Sequence, residues 1–425
     1  MKTTLATLLT PLLLATAAAP PAAAQSRLEG ALAAMYRDCL FPTSQHFQSA
    51  ILLSELELAP GISRFIENNL AAIPLTPPTL EPSMRDGDIV AAVTGFAPIY
   101  TESSTTLGER NAFLGANFSY FNLSRIRGQN LSDVEFRFVQ DGSGGDMVTA
   151  SMPLDVDASV ISLYASYGVT ERLDIGFALP IVRLEFNSRP TTFRIIGDDT
   201  GLRYGGEFNT ADYRFVGDQA EIYLPISEDP AAVRDENPVV PQSESYLGTI
   251  ALRAKLRLPV SISNGGTAAL LEVRVPAGRS ADNVLGQSNF GLRVMLIGEL
   301  VRQGGFKPYL NVGGQYWNGS DSSNLRLNSG FNQRLGNRLF FSFDLLGEID
   351  LEQSTPLALI DRSNALGGVT VSNIPAMSYD HTFNGALGLQ YAFSPRLHAY
   401  GSALFSFLSA GLQSTVAPTI GIALH

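Results

Sequence analysis

Segments of alternating polarity, short turns that trade places with long loops, and an export leader with no membrane helix after it together predict an all-β fold. The architecture they point to is a transmembrane antiparallel β-barrel of the bacterial outer membrane with about twelve strands. The domain plan is a leader over 1–24, a partly helical N-terminal extension or plug over 25–110, and the barrel over 111–425.

The leader comes first. Lys2 precedes an apolar run from Leu5 to Ala19, broken by Pro11, and Ala22, Ala23 and Ala24 precede Gln25. Charge, short apolar core and small residues in that order make a secretory signal, cleaved after Ala24. The single cysteine, Cys39, stands well beyond that point, so lipidation there is not expected and no internal disulfide can form. The net charge of −11 argues against a nucleic-acid partner, yet suits a barrel whose lumen and loops face water. After the leader the longest apolar run, Ile89 to Tyr100, is too short for a membrane helix of about 20 residues.

Alternation is clearest over 246–258. Tyr246, Gly248, Ile250, Leu252, Ala254, Leu256 and Leu258 fall on one face, and Thr249, Arg253, Lys255 and Arg257 on the other. It recurs with Phe290, Leu292, Val294, Leu296 and Leu300 against Arg293 and Glu299, and with Leu339, Phe341, Phe343 and Leu345 against Ser342, Asp344 and Glu348. Successive side chains of a strand point to opposite faces, so each segment has one oily and one charged face. Segments of roughly ten to fifteen residues exceed the five or six usual in soluble sandwiches and cover the nine to eleven a spanning strand needs.

Three short turns, Val169 to Leu173, Leu335 to Leu339 and Phe393 to Leu397, carry Arg172, Arg338 and Arg396. Between them lie long connections such as 188–243 and 352–378, rich in Gly, Pro, Asp and Asn. Outer-membrane barrels keep short turns on the periplasmic side and long loops outside. Strands are placed near 111–126, 154–168, 173–187, 244–258, 267–276, 289–301, 307–317, 324–334, 339–351, 380–392, 397–408 and 415–425. That puts all three Arg-Leu turns and the C-terminus on the periplasmic side. The count is even, as single-chain barrels require, and rises to fourteen if 132–140 or 208–226 holds a further hairpin.

Residues 25 to about 88 do not alternate. Amphipathic helices fit Phe47–Leu58 and Ile62–Ala72, followed by the Pro-rich stretch Pro74 to Pro82. The segment either plugs the lumen, extends into the periplasm, or stays a mobile leader.

The run Tyr164-Ala165-Ser166-Tyr167-Gly168-Val169-Thr170-Glu171-Arg172-Leu173-Asp174-Ile175-Gly176-Phe177-Ala178-Leu179-Pro180 resembles the outer-membrane transporter family described as meta-pathway phenol-degradation proteins. The Gly-rich hairpins from Tyr246 to Phe407 extend the resemblance to about 150–425. It implies a barrel similar to hydrophobic-substrate channels such as the long-chain fatty-acid transporter, with a small N-terminal hatch. The chain departs from many such barrels in ending Ile422-Ala423-Leu424-His425 rather than in Phe.

A barrel hydrolase needs a nucleophile within hydrogen-bond reach of a base. The histidines are His46, His381, His398 and His425. His398 shares a strand face with Tyr400 and Ser402, but four residues of strand span about 13 Å. No spacing suggests a metal site, and Gly142–Gly145 and Gly265-Gly266 lack the helix and lysine of a phosphate loop. No catalytic residue, metal or cofactor is therefore expected.

Arg253, Lys255, Arg257, Glu272, Arg274, Arg293, Glu299, Asp344 and Glu348 are placed in the lumen. There they either bias what passes or pair merely to satisfy one another. Along the third strand the oily face is odd-numbered at Leu173, Ile175, Phe177 and Leu179 and even at Val182, Leu184 and Phe186. The preceding strand changes likewise, from Val156, Ala158 and Val160 to Ile161, Leu163 and Ala165. Pro180 stands at the switch, and proline removes a ladder bond and marks bulges that exchange faces. A kink in this hairpin is expected, either as a lateral exit for apolar molecules or as a bend where the strands leave the membrane. The expected function is passive uptake of small apolar or aromatic compounds, with outer-membrane lipid, such molecules and the barrel-assembly machinery as partners. A structural or assembly-related barrel and a lipid hydrolase are the alternatives.

Overall fold

The computed structural model describes residues 80–85, 88–96, 100–133, 135–139, 147–151, 154–188, 192–196, 210–216, 219–223, 242–262, 265–277, 290–301, 305–318, 323–351, 363–364, 367–371, 379–394 and 396–424. The leader, Cys39, His46, the helices expected at Phe47–Leu58 and Ile62–Ala72, Gly142–Gly145 and His425 lie outside them.

Among the described residues there is no α-helix, and twelve strands build the wall. In chain order they are β1 (Ala112–Ile126), β2 (Leu154–Thr170), β3 (Leu173–Ser188) and β4, in two pieces (Gln242–Leu247 and Ile250–Arg257). Then come β5 (Gly266–Val275), β6 (Gly291–Glu299), β7 (Phe306–Trp317) and β8 (Asn324–Arg334). The last four are β9 (Leu339–Asp350), β10 (Thr382–Ala392), β11 (Leu397–Ser406) and β12 (Ala417–Leu424). Each pairs antiparallel with the next, and β12 returns to β1, with Ile422 opposite Ala116 and Leu424 opposite Leu114. The ring has no free edge, which is what lets a sheet cross hydrocarbon with every backbone group paired.

The alternation sorts as the sequence requires. Leu252, Leu256, Val294, Leu296 and Ile420 are exposed on the outer surface, Leu296 at 60% and Ile420 at 64%. Their neighbours Arg253, Lys255, Arg293 and Thr419 are buried inside. A belt of large exposed aliphatics around a closed barrel with a charged interior is the inverse of a soluble protein, and its solvent is lipid. The chain is an outer-membrane β-barrel. The turns at 171–172, 335–338 and 393–396 close one end of it, where Arg172, Arg338 and Arg396 are exposed. At this short-turn end the Arg172 and Arg338 carbonyls accept Arg257 N and Ala392 N at 2.8 and 2.9 Å.

Two expectations need correction. The stretches 132–140 and 208–226 do contain strands, but they do not enlarge the barrel. Strands at 219–223, 210–216, 192–196, 147–151, 135–139, 367–371 and 363–364 join, in that order, into a separate seven-stranded sheet supplied by the long loops. The Pro-rich end of the N-terminal segment is also strand-forming, with Leu80–Arg85 and Asp88–Phe96 paired as an antiparallel hairpin.

The bulge and exchange of faces expected at Pro180 in the β2–β3 hairpin are likewise corrected. Register between β2 and β3 runs unbroken through Ser162 opposite Pro180, and its only shift lies at Gly168–Thr170. Even-numbered residues of β3 face inward throughout, from Asp174 and Ala178 to Val182 and Leu184. The oily face moves because the surroundings change, not because the strand flips. Near the short turns the outer face meets lipid at Ile175 and Phe177, whereas farther along it carries Arg183 and Glu185, paired at 2.8 Å in water, and the oil is inside. The irregularity sits on the other neighbour. Leu247 opposes Ile181 but Ala251 opposes Ala178, so β4 holds one extra residue at Gly248–Thr249. A residue's N and O point to the same side of a strand, and the Pro180 carbonyl accepts Gly248 N at 2.8 Å, so the nitrogen that has no hydrogen faces β4. The bulge absorbs that missing donor, and the wall stays hydrogen-bonded on both sides of it.

Candidate functional site

The lumen is crossed by the chain itself. Residues Tyr100 to Ser104 and Thr106 to Leu107 are at most 8% exposed, and their partners are inward-facing wall residues. This strap has no internal secondary structure to satisfy its polar groups, so wall side chains must do so. Asp344 accepts Thr101 Oγ1 at 3.0 Å, Tyr100 N at 3.5 Å and the Tyr309 hydroxyl. Glu299 accepts Ser103 Oγ at 2.8 Å, Ser104 N at 3.1 Å and Ser104 Oγ at 3.2 Å. Asp174 accepts Leu107 N at 2.9 and 3.1 Å, and Asn311 Nδ2 donates to the Glu102 carbonyl at 3.1 Å. Tyr100 shares its hydroxyl with Thr419 at 2.9 Å and Ser402 at 3.1 Å.

The strap leaves at the short-turn end. Thr106 Oγ1 donates to the Glu171 carbonyl at 2.9 Å, and Gly108 and Arg110, with φ of 82° and 66°, turn the chain into β1. Gly168 belongs to the same exit, because a Cβ there would lie 1.8 Å from the Gly108 carbonyl oxygen. Leu107 packs into an apolar cluster with Phe113, Tyr164, Ala178, Ala251 and Phe340 at this end.

The charged belt is written in the register. Arg253 stands opposite Glu272, Glu272 opposite Arg293, and Arg293 opposite Gln315, so four successive strands place complementary groups side by side. Glu272 gathers Arg274 Nε at 2.7 Å, Arg253 Nε at 3.1 Å and Arg293 Nη1 at 3.4 Å. Arg293 Nε also donates to Gln315 at 3.1 Å, and Arg274 lies 5.7 Å above the ring of Trp317, the single tryptophan. Arg253 pairs in addition with Glu102 of the strap, Lys255 stands opposite Asp174, and Arg326 Nη2 meets Glu348 at 2.5 Å. Charges so deeply buried persist only when paired, and removing one partner strands the other.

Eight of the nine charges assigned to the lumen are thus inside and clustered: Arg253, Lys255, Glu272, Arg274, Arg293, Glu299, Asp344 and Glu348. Arg257 is half-buried near the short turns and apart from the belt. They do not form an open ring, because three of them hold the strap. Sequence reasoning missed Arg326, Asp174 and Glu102. The first sits between the outward Leu325 and Leu327, and the second between Leu173 and Ile175, so the same alternation contains them. Nothing periodic marks Glu102.

Above the strap is a cavity of about 120 Å³ reaching toward the connection at 407–416, whose short strand Leu412–Ser414 pairs with the end of β1. Tyr100, Thr101 and Glu102 floor it, Phe121, Leu123, Met295, Leu346, Leu404 and Phe405 form apolar walls, and Arg293, Arg326, Asn328 and Glu348 form a polar one. Of the two described histidines, His381 accepts Asp350 N at 3.1 Å and stacks on Tyr379, while His398 has Ala392 and Ala423 as cross-strand neighbours, neither a nucleophile.

No family model matches the sequence, and no curated protein matches it. Among solved structures, an outer membrane channel from Pseudomonas putida F1 superposes with a TM-score of 0.43 at 9% identity, over 76% of this chain and 97% of that one. The translocator domain of the autotransporter NalP from Neisseria meningitidis gives 0.28 at 9%, over 74% and 88%. A Pseudomonas aeruginosa FadL homologue gives 0.30 at 8%, over 73% and 88%. Likeness at this level does not extend to cargo.

Proposed function

We propose that the barrel is a passive outer-membrane channel for small apolar or aromatic compounds, held shut by the strap at Tyr100 to Leu107. The observation that supports this most is how the lumen is filled. A barrel that served only as a scaffold could pack its interior with wall side chains, whereas here the middle is occupied by a single stretch of chain whose Thr101–Ser104 run, between the apolar anchors Tyr100 and Leu107, is attached through hydrogen bonds and one ion pair. Water can replace such bonds when the strap leaves, so the contact is reversible in a way that an apolar core is not. The lumen charges then have two roles, holding the strap when the channel is closed and facing water when it is open. No covalent chemistry is needed.

The test is entry of a neutral hydrophobic fluorescent probe into proteoliposomes carrying the full chain, alongside heat-modifiable migration of the same preparation. Entry that exceeds protein-free vesicles and rises when strap anchors are removed supports the channel. A heat-dependent shift with no entry, in the native chain and the anchor variants alike, would leave a structural barrel.

A further inference from the structure

We infer that the chain enters the barrel from the long-loop side, which puts the residues before Tyr100, Cys39 and the hairpin Leu80–Phe96 among them, at the cell surface rather than in the periplasm. The inference goes beyond the channel reading and does not depend on conduction.

The first reason is the direction of the strap. β3, β9 and β11 start at the short turns, and β6 and β12, which run the other way, end there. Leu107 N donates to Asp174, beside the first residue of β3, and Thr106 Oγ1 donates to the Glu171 carbonyl in the turn itself. Ser103 and Ser104 donate to Glu299, the last residue of β6. Thr101 donates to Asp344, midway along β9. Tyr100 bonds to Ser402, midway along β11, and to Thr419, near the long-loop end of β12. Each step toward the N-terminus therefore lies farther from the short turns, which face the periplasm in outer-membrane barrels.

The second reason is what lies on either side of the strap. Toward the long loops it floors the cavity, which reaches Thr382, Ser406 and the connection at 407–416. Toward the short turns the lumen holds Leu107, Phe113, Tyr164 and Phe340, none more than 4% exposed. Protein interiors are close-packed, so a second pass of the chain downward would have to displace these buried side chains. The open route from Tyr100 leads outward, and Phe96 follows it closely, within about 14 Å even at full extension of the four residues between them.

The consequence concerns control of the strap. One end is tied to β1 at the periplasmic side through Gly108 and Arg110, and the other points out of the cell. A molecule at the cell surface can act on that outer end, detaching Tyr100 and Thr101 before Ser103 and Ser104, whereas a periplasmic protein has no hold on it.

The single cysteine, Cys39, makes the test direct. Intact cells carrying the full chain are treated with a membrane-impermeant polyethylene-glycol maleimide before and after the outer membrane is permeabilised. Cys39 is expected to react equally in both. A Cys39→Ser chain with Arg338→Cys, at an exposed short turn, is expected to react at least tenfold more after permeabilisation. Reaction of Cys39 only after permeabilisation, or of Arg338→Cys on intact cells, would overturn the inference. If Cys39 reacts only in denaturant, an epitope inserted after Gln25 decides: antibody binding to intact cells is expected, and its absence overturns the inference.

Discussion

Glu299 offers the most direct perturbation of the strap. Its carboxylate accepts Ser103 Oγ, Ser104 N and Ser104 Oγ between 2.8 and 3.2 Å, at a residue only 4% exposed. A hydrogen bond to a charged acceptor contributes about 1.5–3 kcal/mol, and bonds sharing one carboxylate do not add. Glu299→Ala should therefore weaken the strapped state by about 3 kcal/mol, and it also leaves the Ser104 N–H without its acceptor. At about 1.4 kcal/mol per decade, the population of strap-released barrels rises about a hundredfold. Glu299→Gln keeps a neutral acceptor with about half the strength, so its rise is about tenfold. The assay is single-channel open probability in planar bilayers, with heat-modifiable migration to show that the barrel is intact. Open probability should increase from native chain to Gln to Ala. An intact Glu299→Ala barrel that opens no more often than the native one would refute the strap as a gate.

Three further outcomes follow from the wall. Leu296→Arg puts a cation on the outer face at a side chain 60% exposed, which should cost about 2–4 kcal/mol near mid-bilayer in reversible unfolding from lipid, and no loss would contradict a lipid-facing surface. Gly168→Ala drives a methyl into the Gly108 carbonyl at the strap's exit, 1.8 Å away before relaxation, and should lower stability by about 1–3 kcal/mol, read as a lower midpoint of the heat-dependent gel shift. Gly248→Ala brings its Cβ to 2.9 Å from Pro180 Cγ, so its cost should fall in a Pro180→Ala background, and a double-mutant cycle should show coupling of about 1 kcal/mol, whereas strict additivity would mean that the bulge does not answer to the proline.

The wall was legible in the sequence because its signal is local. Leu252 beside Arg253 and Val294 beside Arg293 already state that one face differs from the other, and a strand's period of two carries that statement along its length. The number of wall strands follows, as do the turns at Arg172, Arg338 and Arg396 and the inward side of the charges. Hydropathy alone does not say what an apolar face touches. Val182 and Leu184 read like the lipid-facing Ile175 and Phe177, so a change of environment along β3 passed for a change of face, and the bulge lay one strand away at Gly248.

The strap shows the limit most clearly. Thr101, Glu102, Ser103 and Ser104 have no periodicity, and their partners Asp344, Arg253 and Glu299 lie between 151 and 243 residues away. Closure of the barrel is what brings those carboxylates and Arg253 into one lumen, leaving the short polar run inside it as their partner. The sequence by itself determined an outer-membrane barrel with a charged interior, since alternation needs only neighbours. Only the tertiary structure decided that the interior is occupied, since that depends on twelve strands meeting in a ring.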